Sequence, residues 1–132
     1  MKYLLDTNIC IYLMKKNPLR VHDQFLMHRV GDVGLSSITF SELSFGVANS
    51  QRRDHNTQML QEFVSPLEIF PYPAEAAPIY GQLRAELKKK GNLMGALDML
   101  IAAHALYLEA TLVTNNVAEF SRIPDLLIQN WI

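Results

Sequence analysis

Cysteine is almost missing: Cys10 is the one thiol in 132 residues. A lone thiol excludes an internal disulfide and any cysteine-built metal site, so Cys10 reads as a small apolar core residue. An excess of charge of one sign is missing too. The 12 Lys and Arg stand against 13 Asp and Glu, a net charge of −1. That excludes a global positive field, so a nucleic acid would have to be met by local patches. It does not exclude a nuclease, because an acidic metal site itself lowers the net charge. Long hydrophobic runs are also lacking; none approaches the roughly 18 residues that cross a bilayer. The opening "MKYLLDTN" has one lysine and no long apolar stretch before Asp6, which is not the pattern of a signal peptide. A cytoplasmic protein with no membrane partner is expected. No repeat, low-complexity tract or linker breaks the chain, so 1–132 is expected to form one domain.

What is present is a globular composition, 49% hydrophobic and 19% charged. Short apolar runs at Lys2–Leu5, Val33–Leu35, Leu67–Phe70 and Thr111–Thr114 read as buried strands, with a fifth within Leu126–Ile132. Between them lie helical patterns. Thr7–Lys16 stops at Asn17-Pro18, and Leu19–Val30 turns Val21, Phe25 and Leu26 inward. Ile38–Ala48 and Arg52–Val64 follow, the latter with a stripe of Met59, Leu60 and Phe63. Pro73–Lys90 is a long helix that Gly91 stops, and Ala96–Glu109 is so apolar that it belongs at the centre. Strands alternating with helices specify a parallel sheet covered on both faces, a three-layer α/β/α domain.

The chemistry lies in where the acids fall. Asp6 ends the first strand, Glu42 lies near the start of the helix after the second, Asp98 starts the apolar helix, and Glu119 follows the fourth strand. In an open parallel sheet these positions share one side, outside the carboxyl ends of the strands, where ligands bind. Each acid also has a local reading. Asp6 suits an N-cap, "TFSE" (Thr39 to Glu42) a capping box, Asp98 the positive end of its helix, and "NVAE" (Asn116 to Glu119) another cap. Their coincidence is harder to explain locally, and Asp98 lies in the nearly uncharged "GALDMLIAAHAL", where an unpaired carboxylate is costly to bury. Gathered carboxylates repel, and a divalent ion relieves the repulsion. All-oxygen donors suit Mg2+ or Mn2+, which support phosphodiester hydrolysis. Thr7, Asn8, Thr114 and Asn115 supply nearby hydroxyls and amides that either orient ligands or serve turns and caps.

The segments "LLDTNICIYLM", "ITFSELSFGVANS", "GALDMLIAAHAL" and "LVTNNVAEF" together resemble the PIN-domain ribonucleases, and more closely the VapC toxins of bacterial toxin–antitoxin pairs. The resemblance runs through essentially the whole chain, in the family's order and spacing. It implies that Asp6, Glu42 and Asp98 are metal ligands and that Glu119 takes the more variable fourth acidic position, bound directly or through water. Thr7 and Thr114 match polar residues of the family's site. The resemblance further implies RNA cleavage with Mg2+ or Mn2+, a homodimer, and silencing by a VapB antitoxin whose tail covers the site and whose other end binds operator DNA. The implied substrate is tRNA cut in the anticodon stem-loop, initiator tRNA above all.

Other features carry open readings. Arg84, Lys88, Lys89 and Lys90, with Lys15, Lys16, Arg20, Arg52 and Arg53, are RNA-backbone contacts or solvated helix ends. Tyr12, Leu13, Leu43, Phe45 and Val47 form core or an apolar groove for an antitoxin helix. His104 lies six residues after Asp98, off its face, and reads as structural; His22, His28 and His55 lack ligand spacing; Trp131 packs the sheet edge. A haloacid-dehalogenase-type phosphatase needs a second acid where Asn8 stands, and a receiver domain needs an acceptor Asp that "LEIFPYP" lacks. The remaining competitor is a PIN-like scaffold that binds RNA or protein without cutting.

Overall fold

The computed structural model describes residues 2–132. Its elements run β1 (Tyr3–Leu5), α1 (Thr7–Lys15), α2 (Leu19–Leu26), β2 (Val33–Ser36), α3 (Ser37–Ala48), α4 (Arg53–Val64), β3 (Glu68–Phe70), α5 (Ala76–Lys89), α6 (Ala96–Leu108), β4 (Thr111–Val113), α7 (Val117–Phe120) and β5 (Ile128–Gln129). A short 3-10 turn, Val30–Asp32, leads into β2. All neighbouring strands pair parallel, in the order β3-β2-β1-β4-β5.

Alternation along each strand builds two cores. Leu4 and Leu112 point to the face covered by α5 and α6, where they meet Leu83, Leu87, Met99 and Phe120. Leu5 and Val113 point to the other face and meet Ile9, Cys10, Leu13, Val21 and Leu60. These are the three expected α/β/α layers. Helix α6 is as central as its composition requires, with Met99, Ile101, Ala102, Ala103, His104 and Ala105 buried. Gly34 in β2 is dictated by packing, since a Cβ there would lie 2.6 Å from both the Glu68 carbonyl oxygen and the Phe70 ring.

Several element ends differ from expectation. The second helix stops at Leu26, since Met27 and the 3-10 turn redirect the chain towards β2. Helix α1 ends at Lys15 because Lys16 adopts a left-handed conformation, φ 53°, before Asn17-Pro18 is reached. Helix α5 begins at Ala76 instead of Pro73, and the fifth strand keeps only Ile128 and Gln129. Gly91 is left-handed, φ 71°, as its position after α5 requires. Trp131 is buried against the sheet, with its ring stacked on His28 at 4.9 Å.

The strand order places a topological switch point between β1 and β4. The chain leaves β1 towards β2 on one side and returns to β4 on the other, so a crevice opens where their carboxyl ends diverge. Asp6 follows β1 and Thr114 follows β4, so the crevice is flanked by both.

Candidate active site

Asp6 is the deepest of the acids. It is buried and is the N-cap of α1, its Oδ1 accepting from the Ile9 N–H at 2.9 Å. The expected cap is therefore real, and it does not exhaust the residue. Burial is the main force lifting its carboxyl above the usual range; the Thr114 hydroxyl and the Ile9 and Asn8 N–H groups oppose this, while the Glu42 charge adds to it. The side chain of Asn8 is exposed, so what Asn8 gives Asp6 is its backbone N–H. Thr114 is itself held, because its Oγ1 accepts from the Asn116 N–H at 2.9 Å.

Glu42 is no capping-box residue. Helix α3 starts at Ser37 with Ser36 as its N-cap, so Thr39 to Glu42 lies inside the helix. Glu42 instead accepts a hydrogen bond from the Thr7 hydroxyl, 2.8 Å from its Oε1, which ties α3 to α1 across 35 positions of sequence. Asp98 stands in the first turn of α6. Its carboxyl is pushed up to about 6, first by burial and then by the charges of Glu42, Glu119 and Asp6. Glu119 lies in α7, whose Asn116 makes no side-chain cap among the described residues, so the cap reading of "NVAE" is not realised. The Asn115 side chain accepts from Asn130 at 3.2 Å and so faces the β5 end.

Asp98 thus feels the charges of Glu42, Glu119 and Asp6, and Asp6 feels that of Glu42, although the four are carried by different parts of the chain. They are within Coulombic reach without being gathered: among the described residues no three His, Cys, Asp or Glu side chains form a group that could hold a metal ion as they stand. The donor set, carboxylates alone with two pushed towards protonation, has the chemistry of a site for a hard divalent cation. Cys10 is wholly buried, with its thiol pushed well above its ordinary range by burial and the Asp6 charge, and is no nucleophile. His104 is also buried, and burial holds its imidazole below the ordinary value.

An apolar groove of about 250 Å³ opens beside the acids, starting at Thr7 and Glu42. Helix α1 lines it with Ile11, Met14 and Lys15, α3 with Leu43, Gly46 and Val47, and α4 with Asn56 and Met59. Of the apolar residues singled out from the sequence, Leu43 and Val47 line it, Leu13 is core, and Phe45 is 69% exposed. Ile11 and Met14, which the sequence reading missed, follow Thr7 at steps of four and three positions, which is the signal that finds them, while Lys15, a candidate RNA contact, also lines the groove. Arg84, Lys88, Lys89 and Lys90 are exposed on the last turns of α5, and Arg84 donates to the Tyr80 hydroxyl at 2.6 Å. The turn after Lys90 leads directly to the start of α6, so the lysines flank the Asp98 end of the fold. Arg122, which the sequence did not single out, reaches that turn at the Asn92 carbonyl oxygen, 3.5 Å away. No helix among the described residues is long and apolar enough to cross a membrane.

The profile of the PIN domain matches residues 3–126. Ribonuclease VapC2 of Rickettsia felis is 44% identical over 132 residues, covering 99% of this chain and 98% of the relative. The tRNA(fMet)-specific endonuclease VapC of Shigella flexneri is 39% identical over 131 residues, with coverage of 99% and 98%. Among solved structures, VapBC2 of Rickettsia felis bound to a promoter DNA fragment superposes with a TM-score of 0.94 at 43% identity, covering 100% of both chains. The DNA-bound VapBC of Salmonella typhimurium gives 0.94 at 39% identity, over 100% of this chain and 99% of that one. Likeness of this extent, in sequence and in fold alike, makes the chain a member of the PIN-domain family, within its VapC branch.

Proposed function

We propose that residues 1–132 form a single PIN domain acting as the toxin of a VapBC pair, an endoribonuclease that uses Mg2+ or Mn2+ to hydrolyse RNA and so stops translation. The observation that carries this reading is the electrostatic convergence of Asp6, Glu42, Asp98 and Glu119 at the switch point of the sheet. Asp6, Glu42 and Asp98 would hold the ion, with Glu119 completing the set directly or through water. The chemistry a divalent ion supplies there is activation of water and neutralisation of charge on the phosphate under attack. The chain's own work is positioning. Thr7 holds Glu42 by its Oε1, Thr114 and the Ile9 N–H hold Asp6, and the Asn8 N–H adds a third donor to Asp6. Asn115 shapes the rim through Asn130. Arg84, Lys88, Lys89 and Lys90 contact RNA phosphates along the Asp98 side.

The name of the Shigella relative supports tRNA as substrate, with initiator tRNA cut in its anticodon stem-loop as the specific expectation. The VapBC–DNA complexes of the neighbours support a VapB antitoxin as partner and operator DNA bound by the pair, which we assign to the antitoxin; cytoplasmic action is part of the same proposal. A homodimer completes the proposed assembly.

The test is incubation of antitoxin-free protein with total cellular RNA and Mg2+ or Mn2+, with and without chelator, beside Asp98→Asn, followed by mapping of the cut ends. Discrete chelator-sensitive tRNA fragments, absent with the variant, are expected. Folded wild-type protein that cuts no RNA with either ion refutes the nuclease and leaves a binding module.

A further inference from the structure

The reading above needs Glu42 and Asp98 held at one separation although their charges repel. The Thr7 hydroxyl restrains Glu42 against α1, not against the helix that carries Asp98. A hydrogen bond deep in the fold ties the start of α3 to α6: His104 Nδ1 and Ser36 Oγ lie 2.8 Å apart, joining positions 68 apart in sequence. Both residues are 0% exposed. Ser36 is also the N-cap of α3, its Oγ accepting from the Ile38 N–H at 3.1 Å, so the imidazole grips the point from which α3 starts.

Packing alone does not account for a histidine here. Its Nε2 is buried with no hydrogen-bond partner among the described residues, although the Tyr72 ring stands edge-on at 5.5 Å. An unpaired buried polar atom costs stability that an apolar side chain in the same space avoids. Asp98 and His104 share one rigid helix, and Ser36 caps the helix that carries Glu42. A restraint between His104 and Ser36 therefore bears on the distance between Asp98 and Glu42.

We propose that His104 is a positioning residue: through Ser36 it locks the start of α3 against α6 and limits how far apart Glu42 and Asp98 stand, so that a divalent ion can draw them together. The inference rests on the metal-dependent reading given above. Its test is Mn2+ binding to the folded full chain, by calorimetry and by the Mn2+ resonance signal, for wild type, Ser36→Ala, His104→Leu and His104→Asn. Thermal unfolding is followed in parallel. Asn places an amide atom where Nδ1 lies, so it keeps a partner for Ser36, whereas Leu keeps only bulk. Ser36→Ala and His104→Leu are expected to weaken Mn2+ binding about tenfold, the low end for groups that orient metal ligands. His104→Asn is expected to stay within about threefold of wild type even though it loses stability. Variants that lose stability but bind Mn2+ as wild type does overturn the inference, as does His104→Asn binding as weakly as His104→Leu. Wild-type protein that binds no Mn2+ overturns the metal reading and this inference with it.

Discussion

Replacing Asp98 by Asn should stabilise the ion-free protein while ending cleavage. The Asp98 carboxyl is lifted from 3.8 to about 6 by burial and by the charges of Glu42, Glu119 and Asp6. A shift of that size corresponds to roughly 3 kcal/mol if fully expressed. Asp98 is only half-buried and solvent screens part of it, so about 1–2 kcal/mol is the realistic gain. For a chain of this length that raises Tm by about 4–8 °C. The amide is isosteric, so packing barely changes. The pH dependence has a definite sign. A carboxyl raised on folding binds its proton more tightly in the native state, so stability is greatest at low pH and falls as pH rises towards about 6. The advantage of the variant should therefore be complete at pH 8 and vanish near pH 4. His104, held below its ordinary value by burial, works in the opposite sense as pH falls below 6.5, but it is common to both proteins and cancels in the difference. Adding Mn2+ should raise the Tm of wild type and close the gap. The assay is thermal unfolding by circular dichroism with chelator, from pH 4 to pH 8. A variant no more stable than wild type at pH 8, or an advantage that does not change with pH, would refute the electrostatic account.

Three further perturbations test other parts of the structure. Thr7→Val removes the hydroxyl that donates to Glu42 Oε1; kcat on RNA should fall by about tenfold with a Tm change under a few degrees, measured by single-turnover cleavage and calorimetry. Thr114→Val removes a donor that favours ionised Asp6, so the acid limb of the pH–rate profile should move to higher pH; an unmoved limb would sever Asp6 from that limb. Gly34→Ala should destabilise by about 2 kcal/mol in urea unfolding, because the new methyl meets the Glu68 carbonyl oxygen and the Phe70 ring at 2.6 Å.

Much of the fold was legible because its signals are local. The apolar run of "YLL", the left-handed demand met by Gly91 and the nearly uncharged α6 each declare their element within a few residues. The four acids were legible for a related reason: strand-end positions in a parallel sheet share one side whatever the loops do. What escaped depends on contacts between distant segments. Thr39 and Glu42 have capping-box spacing, yet β2 ends with Ser36 and the helix starts there, so Glu42 is inside α3 and turns to Thr7. Phe45 has the chemistry of a groove residue but faces solvent, because α3 buries Thr39 and Leu43 instead. The His104–Ser36 bond spans the chain, and no local pattern announces it.

The sheet order has a consequence for how such a protein is made. Asp6 and Glu42 come from the first half of the chain, while Asp98 and Glu119 come from the second, and β4 must slot beside β1 before the halves meet. A ribosome that has finished only β1 to β3 carries two acids without their counterparts. The complete constellation cannot exist until residue 119 has been added and β4 has docked. The order of the strands thus makes assembly of the acid set a late event in the folding of the chain, after β1 has waited for β4.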